Sequence, residues 1–200
     1  MKNAALLGLR LTLGSYLAAH GAQKLFGAFG GRGLEASGAG FERVGLTPGR
    51  PMARLAGISE LVGGVLTATG LADPVGPLAV ASTMAVASAT HSGKGPFSAK
   101  GGWELPLTNM AAATVLAAAG PGGYSLNAAL GLRVPRPLVR LAVAGAAVTS
   151  GALILCMLSS RQPDAAQQPQ QPQPRQQAQP APAAEAEQAP ATTPQPAARR

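Results

Sequence analysis

The ionisable residues that fall within or at the ends of apolar stretches are Arg10, His20, Lys24, Arg54, Glu60, His91 and Glu104. Charges are costly away from water, so in a membrane-type sequence such residues mark proton paths, ligand sites or specific ion partners by default. His20 and Lys24 are spaced i and i+4, with Gln23 at i+3, which puts all three on one helix face. A carboxylate in the middle of an apolar segment, as Glu60 is, needs a cation beside it or must be protonated, and Lys24 or His20 can supply that partner. The chemistry open to such a set is proton transfer and hydrogen bonding to a small polar head group. Metal chemistry fits less well. There are two histidines and one cysteine, Cys156, so a transition-metal site would need carboxylates to complete it. One cysteine also excludes a Cys-x-x-Cys redox pair and a disulfide framework. We expect no metal and no intrinsic cofactor.

Apolar segments must position these residues. The 200 residues are 46% hydrophobic and only 12% charged, against about 25% charged in an ordinary soluble domain. Five apolar segments follow one another: Ala4 to Phe26, Pro51 to Ala72, Pro74 to His91, Trp103 to Ala119 and Pro137 to Leu158. Proline opens the second, Asp73-Pro74 closes it, and Gly120-Pro121-Gly122-Gly123 stops the fourth. A membrane span needs about 20 apolar residues. The second and fifth segments meet that length, and the third and fourth are marginal. A soluble Ala-rich bundle would show charged faces at helical period, yet no charge lies between Pro74 and His91 or between Leu141 and Leu158. The expected fold is therefore an all-α membrane protein with a four-helix transmembrane domain over 1–130, an additional transmembrane helix over 131–160, and a tail over 161–200. That tail holds 11 Gln, 11 Ala and 9 Pro, a composition that predicts disorder with polyproline II character.

If the first segment ends at one membrane face, alternating direction brings His20, Lys24, Glu60, His91 and Glu104 toward that same face. His20 lies about 10 Å in from Gly27, and Glu60 about 14 Å in from Pro51, at the helical rise. Each residue also has a plainer reading. Lys24, Arg54 and Glu104 sit near helix ends, where snorkelling or capping is common. His91 suits a helix C-terminal dipole, and Arg10 is expected to snorkel to the opposite face.

Other features are architectural. Ser59, Gly63 and Thr67 recur every fourth position, with Gly64 and Ala68 beside them, so helices can approach closely there. The run Gly27-Ala-Phe-Gly-Gly-Arg-Gly33 lacks a Gly-Lys-Ser/Thr ending and no helix start is evident after it, so it reads as a loop, not a phosphate cradle. Leu34 to Gly45 reads as a segment lying on the membrane surface. Lys2 and the apolar run before Leu17-Ala18-Ala19 resemble a signal peptide, but Arg10 interrupts the run and the segment continues to Phe26, so a retained helix is expected. The net charge of +8 comes from cations set singly at segment ends, without a basic stripe, and this argues against nucleic acid. Arg32, Arg43, Arg50, Lys94, Lys100 and Arg161 gather at the face that holds Glu60, against Lys2, Arg133 and Arg136 at the other, and the positive-inside rule favours the former as cytoplasmic.

Three motifs, His20-Gly-Ala-Gln-Lys-Leu-Phe-Gly27, Ala56-Gly-Ile-Ser-Glu-Leu-Val-Gly-Gly64 and Gly101-Gly-Trp-Glu-Leu-Pro106, together resemble the DoxX family of small bacterial integral membrane proteins. The resemblance covers roughly Leu6 to Leu126. It implies a four-helix membrane core in a multi-pass protein of the bacterial cell membrane. It also implies a link to thiosulfate oxidation feeding the quinone pool, or to membrane complexes that gather enzymes against oxidative and thiol stress. The matching positions are His20, Gln23, Lys24, Glu60, His91 and Glu104, taken as a candidate polar pocket with a quinone near His20 and Glu60. The implied partners are the lipid bilayer, soluble redox enzymes and further copies of the chain. The leading expectation is a non-catalytic membrane subunit or anchor. The alternatives are a quinone-binding oxidoreductase subunit with chemistry in its own pocket, and a small proton-coupled transporter. The fifth segment and the tail depart from the family pattern.

Overall fold

The computed structural model describes residues 1–160, and every regular element among them is helical. There are seven α-helices: α1 Lys2–Phe26, α2 Gly33–Arg43, α3 Gly49–Thr69, α4 Val75–Thr90, α5 Glu104–Ala119, α6 Leu126–Ala129 and α7 Arg136–Ser160. The tail expected to be disordered lies outside the described residues.

Helix ends follow the local residues. α1 stops at Gly27, which takes the left-handed conformation (φ 69°) and returns its N–H to the Gln23 carbonyl. α3 stops the same way at Gly70 (φ 63°). Two helices exceed the five expected from apolarity. The Gly27–Gly33 loop does lead into a helix, since α2 begins at Gly33, and α2 packs along α3. It is too polar for a span and was legible only as a surface segment. The four-residue α6 is held by Ser125, whose hydroxyl accepts the Ala128 N–H at 3.2 Å.

α1 lies antiparallel to α3, α4 packs on α3 and on α5, α5 touches α1, and α7 lies against α4. The α1–α3 contact is made backbone to backbone. A Cβ on Gly14 would sit 2.5 Å from the Gly64 carbonyl oxygen, and one on Gly21 would sit 2.6 Å from that of Gly57. Both pairs recur at seven-residue spacing, which keeps two glycines of each helix on the shared seam. The small-residue pattern of α3 therefore serves two neighbours. Gly57 and Gly64 face α1, whereas Gly63 and Thr67 face α4, where Gly76 approaches the Thr67 backbone.

Two apolar cores result. Leu6, Leu13 and Leu17 of α1 meet Val80 and Met84 of α4 and Ala113 and Leu116 of α5. At the other end Leu46, Val86 and Met157 cluster with Phe41, Val44 and Met52. Much apolar surface stays outside: Leu55, Ile58, Val62 and Val65 form an exposed stripe along α3, and α7 exposes Leu141, Val148 and Leu155. By length and composition α7 is the one helix among the described residues that is apolar enough to cross a membrane. α3, expected to pass that test, carries Arg50, Arg54, Glu60 and four glycines in 21 residues, which dilutes its hydropathy. α4 and α5 have 16 residues each and are short for a span.

The seam predicts a contrast within glycine substitutions. Gly64→Ala forces α1 and α3 apart and is expected to destabilise by about 2 kcal/mol, as overpacking does. Gly8→Ala, on the same α1 but with open space around it, is expected to be neutral or stabilising by up to about 1 kcal/mol through helix propensity. Thermal unfolding of the two variants in detergent checks both signs.

Candidate functional site

The α1–α3 seam fixes where the side chains of the first motif go. Gly21 makes the close approach, and three residues later Lys24 emerges beside α3, where its ammonium pairs with the Glu60 carboxylate. Glu60 is buried, 4% exposed, and the Lys24 side chain is partly so. Gln23 turns the other way. Its Nε2 donates to the Phe29 carbonyl at 3.3 Å, and its Cβ would lie 2.5 Å from a Cβ on Gly31, so it ties down the turn after α1. Gly27 closes the helix. Each motif position thus has a local task, and only Lys24 carries a charge into the interior.

The ion pair opens on a cavity of about 390 Å³. α2 supplies Ala36, Gly40 and Phe41, α3 Leu55 and Ser59, α4 Thr83, Val86 and Ala87, and α7 Thr149 and Leu153. Its walls are largely apolar, and Lys24, Glu60 and His91 are among the polar residues that line it. His91 caps α4, and its Nδ1 lies 2.7 Å from the Ala87 carbonyl. A carbonyl only accepts, so Nδ1 carries the hydrogen, and in neutral imidazole Nε2 is the acceptor. Arg32 lies at the exposed rim.

Of the six sequence candidates, Lys24, Glu60 and His91 line the cavity and His20, Gln23 and Glu104 do not. His20 is exposed and meets the Tyr16 ring edge-on, centroids 5.9 Å apart. Glu104 is exposed and accepts the Ser98 N–H at 2.8 Å, which closes the loop before α5. In the same loop Gly102 leaves no room for a Cβ against Pro96, so the third motif builds a turn. Among the described residues no three of His, Cys, Asp and Glu come together as metal ligands do.

A second polar cluster, at the opposite end of the α1–α3 seam, escaped the sequence reading. Arg10, expected to snorkel outward, is 1% exposed. Its Nη2 donates to the Tyr124 carbonyl, and Nε and Nη1 have no hydrogen-bond partner among the described residues. Arg10 Nη1 lies against Gly70, leaving no room there for a side chain. Asp73, in the turn between α3 and α4, is buried nearby, and Asn127 accepts the Ala72 N–H at 2.9 Å. Burial pushes the Asp73 carboxyl up from its ordinary 3.8 to about 6, with the Arg10 charge acting in the opposite direction. The topology that predicted Lys24 near Glu60 also places Arg10 near Asp73, and that signal was available. Tyr16 was missed too; its hydroxyl is buried without a hydrogen-bond partner among the described residues.

Residues 5–93 match the family model described as DoxX. They span α1 through α4, and hence both members of the Lys24–Glu60 pair and His91. No curated protein and no solved structure matches the chain.

Two predictions follow from these clusters. Removing one member of a buried pair strands the other, so Lys24→Met is expected to destabilise by about 3 kcal/mol, and adding Glu60→Gln to recover most of that loss. Thermal unfolding of the single and double variants measures the coupling. Because the folded-state pKa of Asp73 is raised, its contribution to stability is full below about pH 4 and is lost as pH rises through about 6. Asp73→Asn is therefore expected to gain stability relative to wild type as pH rises from about 4 to about 7, read as the difference in Tm across that range.

Proposed function

We propose, from the assignment of residues 5–93 to the DoxX family, that the chain is a multi-pass membrane subunit of a redox system whose helical cavity holds a quinone head group. DoxX proteins form a membrane-associated family linked to redox and stress systems. The observation that carries the finer reading is the cavity of about 390 Å³, largely apolar and lined by the Lys24–Glu60 pair. Such volumes, largely apolar with a few converging polar groups, suit small-molecule ligands.

The residues present fit a quinone ring. Phe41, Leu55, Val86 and Leu153 offer apolar walls to a flat ring, and the Lys24 ammonium is a donor for a carbonyl oxygen. A bound quinone supplies acceptance of two electrons and two protons. The chain's own part is to position the ring, exclude water and hold a proton at the Glu60 carboxylate or at His91 Nε2. With a single, exposed cysteine it has no dithiol of its own, so the reading assigns electron delivery to a soluble enzyme docked at the membrane. The exposed apolar stripe of α3 supports bilayer contact beyond α7. The alternative of a proton-coupled transporter lacks support of this kind, because the described residues show no inverted copy of the α1–α3 pattern.

The test is mass spectrometry of the protein extracted from native membranes in mild detergent, scoring bound quinone and co-purifying enzymes in wild type and in the Lys24→Met/Glu60→Gln double variant. Quinone is expected in wild type and reduced about tenfold in the variant, the value of the charge-assisted hydrogen bond that Lys24 donates. Soluble redox enzymes are expected with both. Wild type free of quinone overturns the cavity assignment, and preparations free of redox enzymes overturn the subunit assignment.

A further inference from the structure

α7 begins well past residue 93, where the family match ends, yet it furnishes part of the cavity wall. Thr149 and Leu153 face the same space as Thr83 and Val86 of α4. Contacts with α4 and with the turn at Leu46 hold them there. Ser82 Oγ donates to the Ala146 carbonyl at 3.1 Å, fixing the middle of α7 on α4. One turn past Leu153, the fully buried Met157 packs with Leu46 and Val86 in the core at the cavity's end. The turn at Leu46 comes close enough that a Cβ on Gly45 would lie 3.2 Å from the Met157 carbonyl oxygen. Outside these points α7 is largely exposed, and its other face is apolar.

We propose that α7 is the closing wall of the ligand cavity, with Leu153 setting the room available to the ligand and Met157 the latch that keeps the wall shut. The occupant is the flat-ringed, carbonyl-bearing head group of the preceding section, and the identity of that occupant, though not the wall itself, rests on that reading. α7 packs chiefly on α4 and leaves most of its surface exposed, so entry from the bilayer runs past α7. Leu153 discriminates ligand size, and the Lys24–Glu60 pair does not. A substituent larger than the wild-type room is rejected through Leu153, because the α4 side of the cavity is backed by the packed core.

Thiol accessibility tests the wall without reference to the ligand. In full-length protein carrying Cys156→Ser, a Thr83→Cys thiol is titrated with N-ethylmaleimide in membrane vesicles. Leu153→Trp fills the space before that thiol and is expected to slow labelling about tenfold, while Met157→Ala removes the latch and is expected to speed it about tenfold. Misfolding would speed labelling in both variants, so acceleration by Leu153→Trp overturns the proposal, as does a rate that neither variant changes. Binding of a short-chain ubiquinone analogue, measured in parallel on protein with native Thr83, separates the two readings. Labelling that responds as expected in a protein that binds no quinone retains the wall and removes the quinone. Quinone binding with unresponsive labelling retains the quinone and removes the wall.

Discussion

The close approach of α1 to α3 is the constraint on which the rest of the structure depends. Gly14 against Gly64 and Gly21 against Gly57 bring two backbones so near that no Cβ fits between them. Helices this close leave no freedom to slide or rotate, because any shift drives a side chain into the facing backbone. The position of every other residue on these two helices is then determined by its distance from the seam. Lys24 follows Gly21 and Glu60 follows Gly57 by three residues each, steps that diverge on antiparallel helices, and their side chains, leaning back toward their own helix N-termini, close the gap and meet. Ten residues toward the start of α1 from His20, Arg10 falls beside Gly70, where α3 ends.

Each end of the seam therefore holds a buried charge with an opposite charge close by. The two ends are built differently. Lys24 and Glu60 are in direct contact and border a cavity, so their environment includes space that a ligand can enter. Arg10 is enclosed, bonded to the Tyr124 carbonyl and packed against Gly70, and it pins the segment before α6 onto the α1–α3 hairpin. Asp73 sits in the turn beyond α3, where burial raises its carboxyl toward the neutral range. A costly buried charge thus borders a cavity at one end and closes the fold at the other.

Helix packing also explains why the motifs of this chain have the residues they have. In the first motif glycine serves approach and helix termination, Gln23 ties the following turn and Lys24 forms the ion pair. In the third, Glu104 accepts a loop N–H, and Gly102 lets the chain fold over Pro96. Sharing a motif therefore did not mean sharing a site. His20 and Gln23 were placed with Lys24 by helical spacing, but a helix face is wide enough that neighbours at i+3 and i+4 can border different surroundings once a second helix covers only part of it.

The sequence by itself determined the helical class, the end of α1 at Gly27, the small-residue packing of α3 and the pairing of Lys24 with Glu60 as one of two candidates. These follow from local preferences and from the cost of burying an unpaired charge, both of which are written residue by residue. Tertiary structure alone decided which of α3's small residues faces which neighbour, that α2 and α7 complete the cavity, and that Arg10 turns inward to Tyr124 instead of outward to water. Such choices depend on residues far apart in the chain, as Arg10 is from Tyr124 and Ser82 from Ala146. No periodicity within a single segment encodes which distant backbone will arrive to meet it.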